Sequence, residues 1–135
     1  MVRFAVLGCG RIGRMHARNV QAHPRAELVT VFDVQAKAAQ DTAAELGARA
    51  AASVDEVLAD KAIQAVLIAS STDTHVDLLT RAARAGKAIL CEKPIDLDLA
   101  KVDACWREIE ALDPLVLVGF NRRFDPSFKS LRDRL

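Results

Sequence analysis

An apolar run, Val2-Arg3-Phe4-Ala5-Val6-Leu7, leads into Gly8-Cys9-Gly10-Arg11-Ile12-Gly13, and helical periodicity begins immediately behind it. The order strand, G-x-G-x-x-G, helix constrains this chain more than any other feature, because each glycine answers a separate demand. Gly8 permits a tight turn out of a strand, Gly10 lets backbone approach a pyrophosphate, and Gly13 lets the helix pack closely on the strand. A helix opened in this way aims free N–H groups and the positive end of its dipole at phosphates. Arg11 and Ile12 lie inside the same loop and are taken with the glycines as cofactor contacts. Asp33 follows Gly13 by 20 residues, at the end of the next apolar run, where a carboxylate accepts hydrogen bonds from the adenosine ribose hydroxyls. The plainer readings are a glycine-rich turn without a ligand and a strand-end turn at Asp33. A carboxylate there repels a ribose 2′-phosphate and no Arg follows at once, so NAD is expected in preference to NADP.

The rest of the chain alternates short apolar runs with helical stretches. Ile12, Met15, His16, Asn19 and Val20 follow helical spacing, and His16 and His23 read as residues on or beside that helix without chemistry. Ala26 to Asp33 reads as a second strand, and Gln35 to Leu46 as an alanine-rich helix ended by a left-handed Gly47. Ala48 to Ala52 reads as a weak third strand, with Ser53 and Glu56 forming a capping box for a short helix. Ala65-Val66-Leu67-Ile68-Ala69 is apolar throughout, as a strand covered on both faces requires. A helix carrying Val76, Leu79 and Ala83 follows and ends at Gly86, and Ala88 to Cys91 is the fifth strand. Asp98 starts a helix expected to bury Val102, Cys105, Trp106 and Ile109. Leu115 to Phe120 is the sixth strand, and Ser127 to Leu135 begins another helix. Such alternation predicts an α/β fold with a doubly wound parallel sheet, the Rossmann arrangement.

Charge and composition narrow the function by exclusion. A formal net charge of +1 gives no electrostatic case for nucleic acid or a membrane surface as partner. Arg122, Arg123, Lys129, Arg132 and Arg134 gather near the carboxyl end, but Asp125 and Asp133 interrupt them, as on a solvated helix face. No apolar run approaches the roughly 18 residues needed to span a bilayer, and nothing resembles a signal peptide. Cys9, Cys91 and Cys105 are odd in number without metal-ligand spacing, so they read as cytosolic thiols, with no metal site and a cytoplasmic location expected. Cys9 stands at a helix amino terminus, which favours its thiolate and predicts that NAD slows its alkylation; the alternative is a buried small residue.

In a doubly wound sheet, ligands bind beyond the carboxyl ends of the strands where strand order reverses. Gly8 to Gly13, Asp33, Ser70 to His75, Glu92 to Pro94 and Gly119 to Asp125 all fall at such ends and are expected to share one rim.

With the fingerprint, Ser70-Ser71-Thr72-Asp73-Thr74-His75, Cys91-Glu92-Lys93-Pro94 and Gly119-Phe120-Asn121-Arg122-Arg123-Phe124-Asp125, the chain resembles the glucose–fructose oxidoreductase/inositol dehydrogenase/rhizopine catabolism (Gfo/Idh/MocA) family. Glu-Lys-Pro after the fifth strand is that family's signature, and Lys93 to Asp98 with Val118 to Asp125 look most like its myo-inositol dehydrogenase branch. The resemblance implies NAD(P)-dependent oxidation of a sugar or cyclitol hydroxyl to a ketone, or the reverse, with a polyol or sugar as substrate. It places Lys93 near the nicotinamide and the reacting hydroxyl, and the chemistry agrees, because a cation there stabilises developing alkoxide charge. It also implies that Glu92 orients Lys93 or the nicotinamide ribose, and that Pro94 fixes the turn, in the family through a cis bond. Ser70 and Thr72 contact the cofactor's ribose or phosphates, or cap the helix. His75 matches a family histidine on the cofactor side, although a histidine in a first helical turn reads by itself as structural. Ser71 departs from the pattern, where many members carry proline. Asn121 and Arg122 match the segment that approaches nicotinamide and substrate, while Arg123 reads equally as surface.

The resemblance implies a general base, a histidine assisted by an aspartate, on a second domain that is expected to lie outside this chain. Residues 1–120 are therefore expected to form the dinucleotide domain and 121–135 the start of a connection toward that substrate domain. The lone chain is expected to bind NAD with little or no turnover. The alternatives are a non-catalytic NAD-binding module that regulates or scaffolds a partner, and a half-enzyme completed by another subunit. Exposure of Phe120, Phe124 and Phe128 is expected, and with it self-association into a homo-oligomer.

Overall fold

A computed structural model describes residues 1–135. The strands are β1 (Val2–Leu7), β2 (Ala26–Phe32), β3 (Arg49–Ala50), β4 (Ala65–Ile68), β5 (Ala88–Cys91) and β6 (Val116–Val118). The helices are α1 (Arg11–Ala22), α2 (Ala36–Leu46), α3 (Val54–Ala59), α4 (His75–Arg84), α5 (Leu99–Ile109) and α6 (Pro126–Arg132). The sheet has the order β3-β2-β1-β4-β5-β6, and every neighbouring pair is parallel. The chain starts in the middle, winds to one edge, returns, and winds to the other, so strand order reverses between β1 and β4. That is the doubly wound sheet expected from the alternation.

Period-two alternation divides the core into two layers. Ala5, Leu7, Val66 and Ile68 point to the side covered by α4 and α5, against Leu79, Ala82 and Ile109. Val6 and Leu67 point to the other side, against Ala17, Val20, Ala39 and Ala43 of α1 and α2. All four residues of β4 are buried, as its uninterrupted apolar sequence requires. Removing a side chain such as Ile68, which has no solvent exposure, costs about 2–5 kcal/mol as an alanine substitution.

Local signals act where the sequence places them. Gly47 ends α2 with φ +70°, and the Ala48 N–H reaches back to the Ala43 carbonyl at 3.0 Å. Asp98 caps α5 by accepting the Ala100 N–H at 2.9 Å. Ser53 caps α3 by accepting the Glu56 N–H at 3.1 Å. The Glu56 carboxylate closes its half of the box one residue early, accepting the Ala52 N–H at 2.7 Å.

One expected core residue is not in the core. Trp106 is 49% exposed, because α5 buries only the narrow stripe Cys105–Ile109, with Val102 half-buried beside it. Trp106 stands at the edge of that stripe, about 100° of helix rotation from Cys105 and about 60° from Ile109. Phe120, Phe124 and Phe128 are exposed, as anticipated. No helix is long and apolar enough to cross a membrane.

Candidate functional site

One row of the sheet decides where the site forms. Phe32, Leu7, Ile68, Cys91 and Val118 are register partners in succession across β2, β1, β4, β5 and β6. The residue after each, namely Asp33, Gly8, Ala69, Glu92 and Gly119, therefore leaves the sheet at one level. The ladder reaches into that level: the Gly8 N–H donates to Phe32 at 2.7 Å, Ala69 to Leu7 at 2.8 Å, Glu92 to Ile68 at 2.9 Å and Gly119 to Cys91 at 2.8 Å. The expected rim is a consequence of this common register.

Within the rim, the glycine loop is built by exclusion of side chains. Gly8 has φ +101°, and a Cβ on it would lie 2.6 Å from the Ala69 carbonyl oxygen. A Cβ on Gly13 would lie 1.8 Å from the Gly8 carbonyl oxygen, so α1 sits directly on the turn. Gly10 differs, because nothing stands within 4 Å of its missing Cβ. No side chain caps α1 and no acidic residue occupies its first turn. The amino terminus of α1 thus presents free N–H groups to open space, a cradle suited to an anionic group.

A cleft of about 500 Å³ runs from this cradle. Gly8, Gly10, Arg11, Ile12, Asp33 and Ser70 line it, joined by Ser71 and Thr74 of the expected rim segment and by Val34, Gln35, Val54 and Asp77, which sequence reasoning did not single out. Val34 stands directly after Asp33 and is 89% exposed, an apolar surface suited to contact with a base. Asp33 accepts the Cys9 N–H at 2.7 Å and the Gln35 N–H at 2.8 Å. The Gln35 bond is the local turn of the plainer reading, yet a carboxylate has about four acceptor sites, which leaves capacity for ribose hydroxyls. The residues present therefore fit a dinucleotide: an N–H cradle and an acid that line one cleft.

The remaining candidates stand at the edge of that cleft or beyond it. Ser70 Oγ and Thr74 Oγ1 are 2.6 Å apart, while Thr72 falls in a short 3-10 turn, Thr72–Thr74, before α4. His75 is 2% exposed, with Nδ1 2.8 Å from the Pro94 carbonyl oxygen and Nε2 3.1 Å from that of Ser70. Its ring ties the loop after β4 to the loop after β5. The Lys93–Pro94 bond is cis. Lys93 is exposed and its ammonium makes no ion pair, although its N–H donates to Glu92 Oε2 at 3.2 Å. Asn121 and Arg122 occupy a 3-10 turn, Asn121–Phe124. The Arg122 guanidinium lies 4.9 Å from the Phe128 ring centre and 3.5 Å from Asp125, exposed contacts that hold it weakly.

Two residues depart from expectation. His16 is not a bystander, for its Nε2 lies 2.8 Å from Glu92 Oε1. Cys9 is not an exposed thiolate: it is 3% exposed, its Sγ faces the Phe32 carbonyl oxygen at 3.7 Å, and burial pushes its thiol pKa up. Its backbone belongs to the helix terminus while its side chain points into the layer under α1 and α2.

A larger hollow of about 860 Å³ opens elsewhere, between α1 and the uncovered part of the sheet, lined by Phe4, Val20, Leu67 and Leu90 among others. Arg25 and the histidines His16 and His23 also line it, whereas the glycine loop and Asp33 line the smaller cleft.

Comparison with known proteins agrees with this geometry. Residues 2–120 match the family described as an oxidoreductase family with an NAD-binding Rossmann fold. Inositol 2-dehydrogenase of Rhizobium meliloti (strain 1021) is 48% identical over 131 residues, covering 97% of this chain and 39% of that protein. The structure of a myo-inositol dehydrogenase from Corynebacterium glutamicum ATCC 13032 superposes with a TM-score of 0.92 at 49% identity, over 99% of this chain and 40% of the other. Scyllo-inositol dehydrogenase from Lactobacillus casei, solved with NAD(H) and scyllo-inositol, gives a TM-score of 0.91 at 28% identity, over 98% of this chain and 40% of the other. The 135 residues thus span about two-fifths of the length of the proteins they match.

Proposed function

The chain belongs to the oxidoreductase family with the NAD-binding Rossmann fold, and from that membership we propose that it is the cofactor-binding part of an NAD-dependent dehydrogenase of a cyclitol or sugar hydroxyl. Residues 1–120 form the dinucleotide domain in this reading, and 121–135 begin the connection to a substrate domain. The observation that carries it is Asp33 in the cleft wall beside the uncapped amino terminus of α1.

Gly8, Gly10, Arg11, Ile12 and Gly13 hold the pyrophosphate, and Asp33 holds the adenosine ribose. Ser70, Thr72 and His75 shape the next stretch of the site, the first two by contact and His75 from beneath. Bound NAD would supply the hydride acceptor for oxidation of a secondary alcohol. Lys93, whose ammonium has no internal partner, stabilises alkoxide charge as the hydroxyl proton leaves. Glu92 orients Lys93, and Asn121 and Arg122 approach from the β6 side once the exposed contacts of Arg122 yield. An inositol is the favoured substrate, since the relatives named above act on inositols.

A second reading, cofactor binding without turnover by these residues alone, is favoured by the state of the histidines. His16 is paired with Glu92, His75 is wedged between two carbonyls, and His23 lies at the far end of α1, its Nδ1 facing the Arg25 N–H at 3.1 Å. None stands free over the rim as a general base.

Calorimetric titration with NADH and NADPH tests the binding claim. Saturable binding with NADH tighter is expected, tighter NADPH would remove Asp33 as discriminator, and binding of neither would overturn the reading. Formation of NADH from NAD and myo-inositol tests the argument from the histidines: turnover by these residues alone would sink it.

A further inference from the structure

We infer that His16 is a positioning residue, which clamps Glu92 and so fixes the loop bearing Lys93 relative to the helix whose amino terminus forms the phosphate cradle. The inference rests on the proposed cofactor site and adds to it a residue that makes no cofactor contact of its own.

The Glu92 carboxylate is held from three directions. His16 Nε2 meets Oε1 at 2.8 Å, and each side chain is only 18% exposed. The Lys93 N–H meets Oε2 at 3.2 Å. On the third side stands Gly119, where a Cβ would come within 3.1 Å of Oε1, 3.2 Å of Cδ and 3.3 Å of Oε2. No Lys or Arg pairs with this carboxylate, so His16 is its sole side-chain partner. A neutral imidazole protonated on Nε2 and an imidazolium both donate to Oε1, so the contact survives either protonation state.

The placement gives the contact its consequence. His16 and the cradle belong to one rigid helix, with His16 about 7.5 Å further along the axis than Arg11 at 1.5 Å per residue. The side chain of His16 reaches from that helix to the first residue after β5. Lys93 follows Glu92 directly, and on its other side His75 holds the Pro94 carbonyl to the loop after β4. From α1 itself, the hydrogen bond of His16 to Glu92 is the side-chain tie between the phosphate end of the site and the lysine end. The clamp is expected to matter for a ligand that spans both ends and to be silent for one that occupies only the first.

The test uses the chain itself and two independent readouts. Without cofactor, amide hydrogen exchange at Lys93, followed by NMR, reports the order of the loop. His16→Ala and Gly119→Ala are each expected to speed it severalfold, the first by removing the clamp and the second by crowding the carboxylate out of its seat. Alanine suits the interior of α1, and thermal melting verifies that each variant is folded. With ligand, His16→Ala is expected to weaken NADH about tenfold, equivalent to about 1.4 kcal/mol, and to leave ADP-ribose, which lacks the nicotinamide, unchanged. His16→Gln, whose amide can donate from nearly the same place, is expected to recover part of the NADH loss. Unaltered Lys93 exchange in both variants would overturn the inference, as would equal weakening of NADH and ADP-ribose. Should the unsubstituted chain bind neither ligand, the cofactor reading fails, and the exchange readout alone still decides whether the clamp exists.

Discussion

The Asp33 carboxylate accepts the backbone N–H of Cys9 at 2.7 Å, which ties the end of β2 to the middle of the glycine loop. The residue read as a ribose ligand is thus also a brace for the phosphate cradle, and its two duties make separate, measurable contributions.

Asp33→Ala removes both backbone contacts and the ribose acceptor. Loss of hydrogen bonds to a charged, half-buried group is expected to cost about 1–2 kcal/mol of stability, visible as a lowered melting temperature. NADH affinity is expected to fall about tenfold and NADPH affinity less, so that the ratio between them narrows in a calorimetric titration. Asp33→Asn, which keeps one acceptor oxygen, is expected to retain more stability than discrimination.

The glycines separate folding from binding. Gly13→Ala drives a methyl to 1.8 Å from the Gly8 carbonyl, a clash of backbone with backbone that no rotamer relieves, and is expected to cost about 3 kcal/mol or more. Gly10→Ala meets nothing within 4 Å and starts from an extended backbone with φ −68°. Its melting temperature is expected to hold while NADH affinity drops, because the methyl projects into the cradle. The reverse pattern in paired melts and titrations would contradict this assignment of the loop.

All three thiols are buried. Burial pushes the Cys9 thiol up and Cys91 to about 12, so little thiolate exists at neutral pH. Iodoacetamide labelling counted by mass spectrometry is expected to be slow at Cys9 with and without NAD, and complete at every cysteine in denaturant. Rapid labelling of native Cys9 that NAD suppresses would restore the exposed thiolate at the helix terminus.

Glu45 of α2 is gripped by Arg18 and Arg14 of α1, at 2.7 and 2.8 Å, and these contacts hold its carboxyl at about 2, well below the ordinary 4.5. Because the folded value is depressed, the stabilisation is full above about 4.5 and drains away as pH falls toward 2. The pair is solvent-exposed, so high salt is expected to flatten the effect. Melting curves between these limits are expected to decline less steeply for Glu45→Gln than for the parent chain.

The parts of the fold that follow one-dimensional rules were legible. Alternating runs predicted the doubly wound sheet, Gly47 and Asp98 ended and began helices as their chemistry dictates, and strand ends located the rim. What escaped depends on distances across the fold. His16 pairs with Glu92, 76 residues away, and helical spacing says only which face a histidine takes, not what stands opposite. Trp106 looked buried because size and apolarity argue for burial, but the width of the stripe α5 covers is set by its neighbours. Of the two readings of Cys9 the buried small residue holds, because the backbone address of a residue fixes its N–H while the side chain is free to point elsewhere. On the far wall of the cleft, Ser71 and Thr74 belong to the expected rim segment, whereas Val54 and Asp77 have no signature of their own and are brought there by α3 and α4.

The shared row from Phe32 to Val118 also sets a mechanical tolerance. A slip of β5 by one residue against β4 would move Glu92 by about 3.3 Å, beyond the reach of His16, and turn Ile89 and Cys91 out of their core layer. The alternation of large apolar side chains therefore acts as a gauge block for the rim, metering how far each loop begins above the sheet. A core substitution in β5 that merely eased the register would be felt as misalignment at Lys93, with every residue of the rim unchanged.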